Sequence, residues 1–164
     1  MNTLKMLTLT GAALAFASAQ LAAAAPAPNA KLWSGTWKLN SEKSKFTAPD
    51  FSEKSETRTY AVSGKRVTMH STFVGGHGKS VKWSYSASWD GKPYPTVGNT
   101  NADHISLTPV SDREVKSRTT LHGKASATST ATVSADGKQL TMKRSILTAK
   151  GGASDDTLVF ERVK

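Results

Sequence analysis

Apolar and polar residues alternate one by one along most of this chain. The longest run is Val81, Trp83, Tyr85, Ala87 and Trp89, with Lys82, Ser84, Ser86 and Ser88 between them. Period-two alternation puts the two sets of side chains on opposite faces of an extended strand, so this run predicts a strand with one buried and one wet face. The pattern recurs at Val67, Met69, Ser71, Phe73, at Val115, Ser117, Thr119, Leu121, and at Ala125, Ala127, Ser129, Ala131, Val133. Leu140, Met142, Arg144, Ile146 and the terminal Leu158, Phe160, Arg162 complete the set. Shorter candidates lie at Trp33 to Leu39, Glu56 to Val62, Tyr94 to Val97 and Ile105 to Leu107. About ten strands are predicted, and no helical periodicity competes with them.

Turn chemistry separates these strands. Gly-Lys occurs at Gly64-Lys65, Gly78-Lys79, Gly91-Lys92, Gly123-Lys124 and Gly137-Lys138, twice preceded by aspartate at Asp90 and Asp136. Such pairs supply the positive φ that tight hairpins need. Short hairpins pair strands that are neighbours in sequence, and closing the sheet removes its exposed edges. The expected fold is therefore all-β, an antiparallel up-and-down barrel of about 8–10 strands. A β-sandwich is the other candidate, but the long crossovers of Greek-key connections are not evident.

The first residues follow a different pattern. Met1 to Lys5 gives a positive start and Met6 to Phe16 an apolar run. The run is shorter than the roughly 20 residues that span a bilayer. Small-x-small triplets follow at Ala17-Ser18-Ala19 and Ala22-Ala23-Ala24, so residues 1–25 read as a signal peptide and tether cleaved near Ala19 or Ala24. The barrel domain is expected over 31–164, in a periplasmic or secreted protein with no transmembrane segment in its mature chain. The chain contains no cysteine, so no disulfide framework supports the fold and no thiol nucleophile or lipidated cysteine exists.

The formal charge is +10, carried by basic residues that are dispersed rather than blocked. A basic exported protein meets anionic lipid and polysaccharide at the envelope surface. Nucleic acid is not an expected partner, because Trp83, Tyr85 and Trp89 share the face opposite Lys82 instead of lying exposed beside a basic stripe.

Trp33-Ser34-Gly35-Thr36-Trp37-Lys38-Leu39 carries a resemblance. Gly35-x-Trp37 resembles the opening of the lipocalins, and Gly35 to Leu39 is similar to the opening of intracellular fatty-acid-binding proteins. Val159-Phe160-Glu161-Arg162-Val163 resembles the last strand of the latter. The resemblance implies a calycin-type barrel, here in an exported bacterial lipocalin-like protein, that encloses a lipophilic ligand. It also implies that Arg162 packs over the ring of Trp37, with Gly35, Trp37 and Arg162 as structural residues. The chain departs from the pattern at Leu158 and Phe160, where fatty-acid-binding proteins carry an Arg-x-Tyr anchor for the ligand carboxylate. The stretch from Ser41 to Ser55 is also too short for their two lid helices.

The alternation itself points to an interior that mixes bulky residues (Met69, Phe73, Trp83, Tyr85, Trp89) with small ones (Ser71, Ala87, Ser117, Ala125, Ala127, Ser129, Ala131). A barrel of about ten strands encloses more space than side chains readily fill, so a cavity is expected. The alternative is a flattened barrel packed solid. Arg144 is in phase with Met142 and Ile146, and Arg58 with Tyr60 and Val62. Each either meets a ligand carboxylate or phosphate inside the barrel or lies near the mouth and reaches water. The candidate ligand-binding residues are Arg144, Arg58, Tyr60, Met69, Phe73, Trp83, Tyr85, Ser117 and Ser129.

No catalytic motif is found, and neither cofactor nor metal site is expected. His70, His77, His104 and His122 have no metal-ligand spacing. Asp103 and His104 are adjacent and would point to opposite sides of a strand. Gly78-Lys79-Ser80 lacks the upstream glycine of a phosphate loop, Phe73 standing there, and precedes a strand rather than a helix. The expected function is binding of a small hydrophobic or amphipathic ligand inside the barrel. A ligandless envelope protein contacting anionic lipid or polysaccharide is the competing reading. An enzyme would need an interior polar cluster, which the alternation does not display.

Overall fold

Each predicted run becomes a strand, and successive strands pair antiparallel all the way round a closed barrel. The computed structural model describes residues 26–48, 52–147 and 153–163; the leader and its cleavage positions lie outside them. The strands are β1 (Gly35–Leu39), β2 (Glu53–Ser63), β3 (Arg66–Gly75), β4 (Ser80–Ser88), β5 (Tyr94–Val97), β6 (His104–Pro109), β7 (Glu114–Leu121), β8 (Lys124–Val133), β9 (Gln139–Leu147) and β10 (Ala153–Arg162). β1 pairs with β2 on one side and β10 on the other, which closes the ring. Among the described residues no helix is long and apolar enough to cross a membrane.

The hairpins use the glycines as their geometry requires. Between β7 and β8 the loop is only His122-Gly123, both at positive φ (51° and 75°), the pairing that matches the twist of the flanking strands. His122 therefore sits in the turn itself. Gly78-Lys79 likewise belongs to the turn between β3 and β4.

Trp33 corrects the expected first strand, which begins two residues later. Ala30–Trp33 is instead a single helical turn, α1, because the Asn29 side chain accepts from the Lys31 N–H and caps it. The turn lies across one end of the barrel. Trp33 is buried there and donates its indole N–H to the Asp112 carbonyl at 3.1 Å, while Trp37 donates to the Trp33 carbonyl at 3.2 Å. Above this seal the interior is packed solid by Trp37, Val67, Ala87, Val133, Leu140 and Phe160, each with no exposed surface. Solid packing thus holds around Trp37, and the cavity begins at Trp33 beside it.

Arg162 ties the seal together. Its guanidinium lies 4.2 Å from the centre of the Trp37 ring, close enough for cation–π attraction. It donates to the carbonyls of Gly137 (2.6 Å), Ser34 (2.5 Å) and Leu32, which closes the hairpin, the helical turn and the first strand onto the last. Gly35 permits this approach: a Cβ there would stand 2.5 Å from Arg162 Nη1, and its φ of +132° also favours glycine. Replacing Arg162 with Met keeps the stem but strands three carbonyls. We expect a loss of about 3 kcal/mol in denaturant unfolding, with Arg162→Lys recovering only part of it because an ammonium lacks the planar fork. An unchanged midpoint for Arg162→Met would remove Arg162 from this role.

Candidate ligand-binding site

The barrel interior holds a cavity of about 230 Å³ whose lining runs from Trp33 of α1 to Glu53 and Phe73. Alternation builds its walls. β2, β3 and β4 contribute Tyr60, Phe73, Trp83 and Tyr85, and β7 and β8 contribute the small side chains Ser117, Thr119, Ala127, Ser129 and Ala131. The bulky wall therefore faces a wall of short side chains. Trp33 and Trp89 line the sealed end, and their rings lie 6.2 Å apart.

Of the residues singled out above, Arg58, Tyr60, Phe73, Trp83, Tyr85, Ser117, Ser129 and Arg144 all lie on the cavity wall. Met69 does not: it is fully buried in the packed core and is not among the cavity-lining residues. The hydroxyls of Ser117 and Ser129 face each other across the β7–β8 pair at 2.7 Å. The β7–β8 register pairs these two residues directly.

Both arginines lie on the cavity wall, and each already has carboxylate partners from the protein. Arg58 is 6% exposed and lies in mid-barrel, so it does not reach water at a mouth. Its guanidinium carbon sits 5.0 Å from the Phe160 ring centre and 5.9 Å from that of Trp83. Nε donates to Glu56 Oε1 at 2.6 Å and Nη1 to the Met142 sulfur at 3.3 Å. Arg144 is paired twice: Nη1 meets Glu53 Oε1 at 2.6 Å, and Nε and Nη2 meet Asp156 Oδ2 at 3.1 Å. Internal carboxylates, not only a ligand, thus balance both cations.

Glu53, Glu56, Asp156, Ser71 and Ser154 form the polar cluster that the alternation was not expected to contain. Ser71 donates to Glu56 Oε1 at 2.5 Å, and Asp156 Oδ1 accepts from Ser154 and from the Thr47 N–H. Glu53 and Glu56 are three residues apart and would face opposite sides of a regular strand. A shift of register between Glu53 and Ser55 turns both inward. Glu56 and Asp156 needed no such device. Glu56 is in phase with Arg58 and Tyr60, and Asp156 with Leu158 and Phe160, so extending the alternation by one step finds both.

Packing two carboxyls together splits their proton affinities. Burial, then the charge of Glu56, pushes Glu53 up to about 8 against the opposing pull of Arg144. Burial also acts to raise Glu56, but the Arg58 charge and hydrogen bonds from Glu53, Arg58 and Ser71 outweigh it and hold Glu56 below the usual range. Burial would lower Arg58, but Glu56 more than compensates and keeps it firmly charged. Burial raises Tyr85 well above its ordinary value, so its phenol stays neutral. At neutral pH the proton between the two glutamates resides on Glu53.

On the outer surface, His104 Nδ1 lies 3.0 Å from Asp103 Oδ1, so these neighbours do meet, contrary to the strand geometry expected of them. Asp103 ends the loop before β6, which frees its side chain to turn back. The pair is partly solvated and does not line the cavity, although its neighbours Ala102 and Ile105 do. Among the described residues no group of three or more His, Cys, Asp or Glu side chains is disposed to hold a metal ion.

Because Glu53 binds its proton more tightly in the folded than in the unfolded chain, its contribution to stability is full below about 4.5. It is lost as pH rises through about 8. Unfolding midpoints should show this component falling across that window, and Glu53→Gln should flatten it, since an amide retains the acceptor for Arg144 but does not titrate. An identical pH profile for the variant would contradict the assignment of the proton to Glu53.

No family model matches this chain, and no curated protein matches it in sequence. Among solved structures, the barrel is similar to that of zebrafish ileal bile acid-binding protein, solved in complex with cholic acid. The likeness has a TM-score of 0.52 at 13% identity and covers 80% of this chain and 99% of that one. At that identity it is a likeness of fold, and together with the closed ten-strand ring it shows an all-β antiparallel up-and-down barrel with a lipocalin-like fold.

Proposed function

We propose that this protein is an exported carrier that holds a small hydrophobic or amphipathic molecule inside its barrel, without chemical conversion. The cavity carries the reading: an aromatic wall faces a wall of Ser, Thr and Ala, with polar groups gathered in one place. That is the composition of small-molecule sites, apolar walls with a few polar groups that orient the ligand. Its volume falls below the roughly 300–1,000 Å³ of drug-sized pockets, which favours a slender ligand. The bile acid-binding neighbour holds an amphipathic molecule in a barrel of the same fold, which supports this class of ligand.

The neutral dye N-phenyl-1-naphthylamine tests the reading. Saturable fluorescence enhancement is expected, and it should persist in about 1 M salt, where surface charge is screened. Ala127 lies on the small-residue wall, so Ala127→Phe should fill space and weaken the dye by about tenfold or more. Dye binding that collapses with salt and ignores Ala127→Phe would favour the basic outer face and overturn the carrier reading.

Export rests on the sequence of residues 1–25. Protein purified from its host envelope or medium should have an intact mass that begins after Ala19 or Ala24. A mass that includes Met1 to Lys5 would overturn export by this route.

A further inference from the structure

The polar part of the cavity has an imbalance of charge. Counting the described residues, the cluster contains three carboxyl groups, Glu53, Glu56 and Asp156, and two guanidiniums, Arg58 and Arg144. If every group were ionised, one negative charge would be left in a low-dielectric interior, which is strongly unfavourable. The missing positive charge belongs at Glu53 and Glu56. These side chains are 8% and 2% exposed and both line the cavity. In each, Oε1 accepts from arginine, while Oε2 is buried and receives nothing from arginine, serine or backbone, the one hydrogen available to the pair being the proton on Glu53. Two shielded acceptors on one wall, short of one cation, are complementary to an N–H-rich cation.

The geometry points to a lipophilic amine as the ligand, its ammonium seated against the Glu53 and Glu56 carboxylates and its tail along the aromatic wall. The inference rests on the reading of the cavity as a binding site. An incoming carboxylate finds no uncompensated cation, since both arginines are already paired and a third negative partner would have to break those pairs. The aromatic faces of Trp83, Tyr85 and Phe73 tolerate a passing ammonium through cation–π attraction.

Proton balance follows from the same count. Without a cationic ligand, the proton on Glu53 supplies the balancing charge. When an ammonium binds, it takes over that role, Glu53 gives up its proton to the buffer, and both carboxylates accept from the amine. The groups that act on the pair are Arg58 from β2, Ser71 from β3 and Arg144 from β9; Tyr60 from β2 and Tyr85 from β4 act on Arg58, and Asp156 from β10 meets Arg144. No histidine lies on the cavity wall.

Three ligands with one chain and different heads decide the matter: dodecylamine, dodecanol and dodecanoate, each competing with N-phenyl-1-naphthylamine at pH 7 on the intact mature protein. Dodecylamine should displace the dye at about tenfold lower concentration than dodecanoate or less, with dodecanol between them. Calorimetry in phosphate and in Tris, which differ in ionisation enthalpy, should show close to one proton released per amine bound. Glu53→Gln should abolish that release and shrink the advantage of the amine. The comparison of heads on the unaltered protein stands even if this variant fails to fold. Dodecanoate competing as well as dodecylamine, or amine binding without proton release, overturns the assignment of the head group while leaving the carrier reading intact. A protein that binds neither the dye nor any of the three chains overturns both.

Discussion

A guanidinium taken out of water must find acceptors within hydrogen-bonding reach, and around the cavity of this barrel those acceptors are carboxylates. Arg58 lies in mid-barrel between Phe160 and Trp83 and is tolerable there only because Glu56 meets it at 2.6 Å. Glu56 in turn is held by Ser71 from the neighbouring strand. The second unit, Glu53–Arg144–Asp156, joins β2 to the adjacent pair β9 and β10. Pairs of this kind contribute little net stability, but removing one member leaves a buried charge alone. The polar side chains therefore act as a set whose members depend on each other. The register shift near Glu53 belongs to the same arrangement, since it adds the third carboxyl to this face.

The barrel was legible in the sequence because its signal is repeated: many runs of period two, separated by glycine turns, leave few alternatives to a closed meander. Local exceptions were illegible for equally local reasons. Trp33 continues the alternation of Gly35 and Trp37, and only the capping of a four-residue turn by Asn29 removes it from the strand. Glu53 breaks parity with Glu56, and no hydropathy pattern announces a register shift. Glu56 and Asp156 stand in phase with known inward residues and were open to detection. Met69 shows the converse limit: alternation tells which face a side chain takes, not whether space remains beside it.

The departure from the fatty-acid-binding pattern acquires a physical meaning in this light. At Leu158 and Phe160, where that pattern has an anchor for a ligand carboxylate, the chain offers two fully buried apolar side chains. Phe160 presents its ring to a cation that arrives from β2 instead, 5.0 Å away. That cation comes with its own carboxylate two residues earlier, Glu56 before Arg58 on the same face of one strand. The substitution thus replaces a positive interior with a neutralised one. A likeness of fold says nothing about this, since thirteen residues in a hundred are shared and the backbone ring is indifferent to the sign of the charge inside it.

The three buried or half-buried arginines divide the molecule by what they pair with. Arg162 donates to backbone carbonyls and rests on Trp37, partners that do not titrate. The α1 end therefore holds the same way at any pH at which the backbone is folded. Arg58 and Arg144 pair with carboxyl groups, one of which changes its protonation near neutrality. Any response to pH, or to a charged ligand, is thereby confined to the groups around the cavity. The sealed end gives it a rigid frame, because Trp37, Leu140 and Phe160 leave no room for the strands to shift. The Arg162 seal and the ion pairs of the cavity are thus separated by whether the partner of each guanidinium can take up a proton.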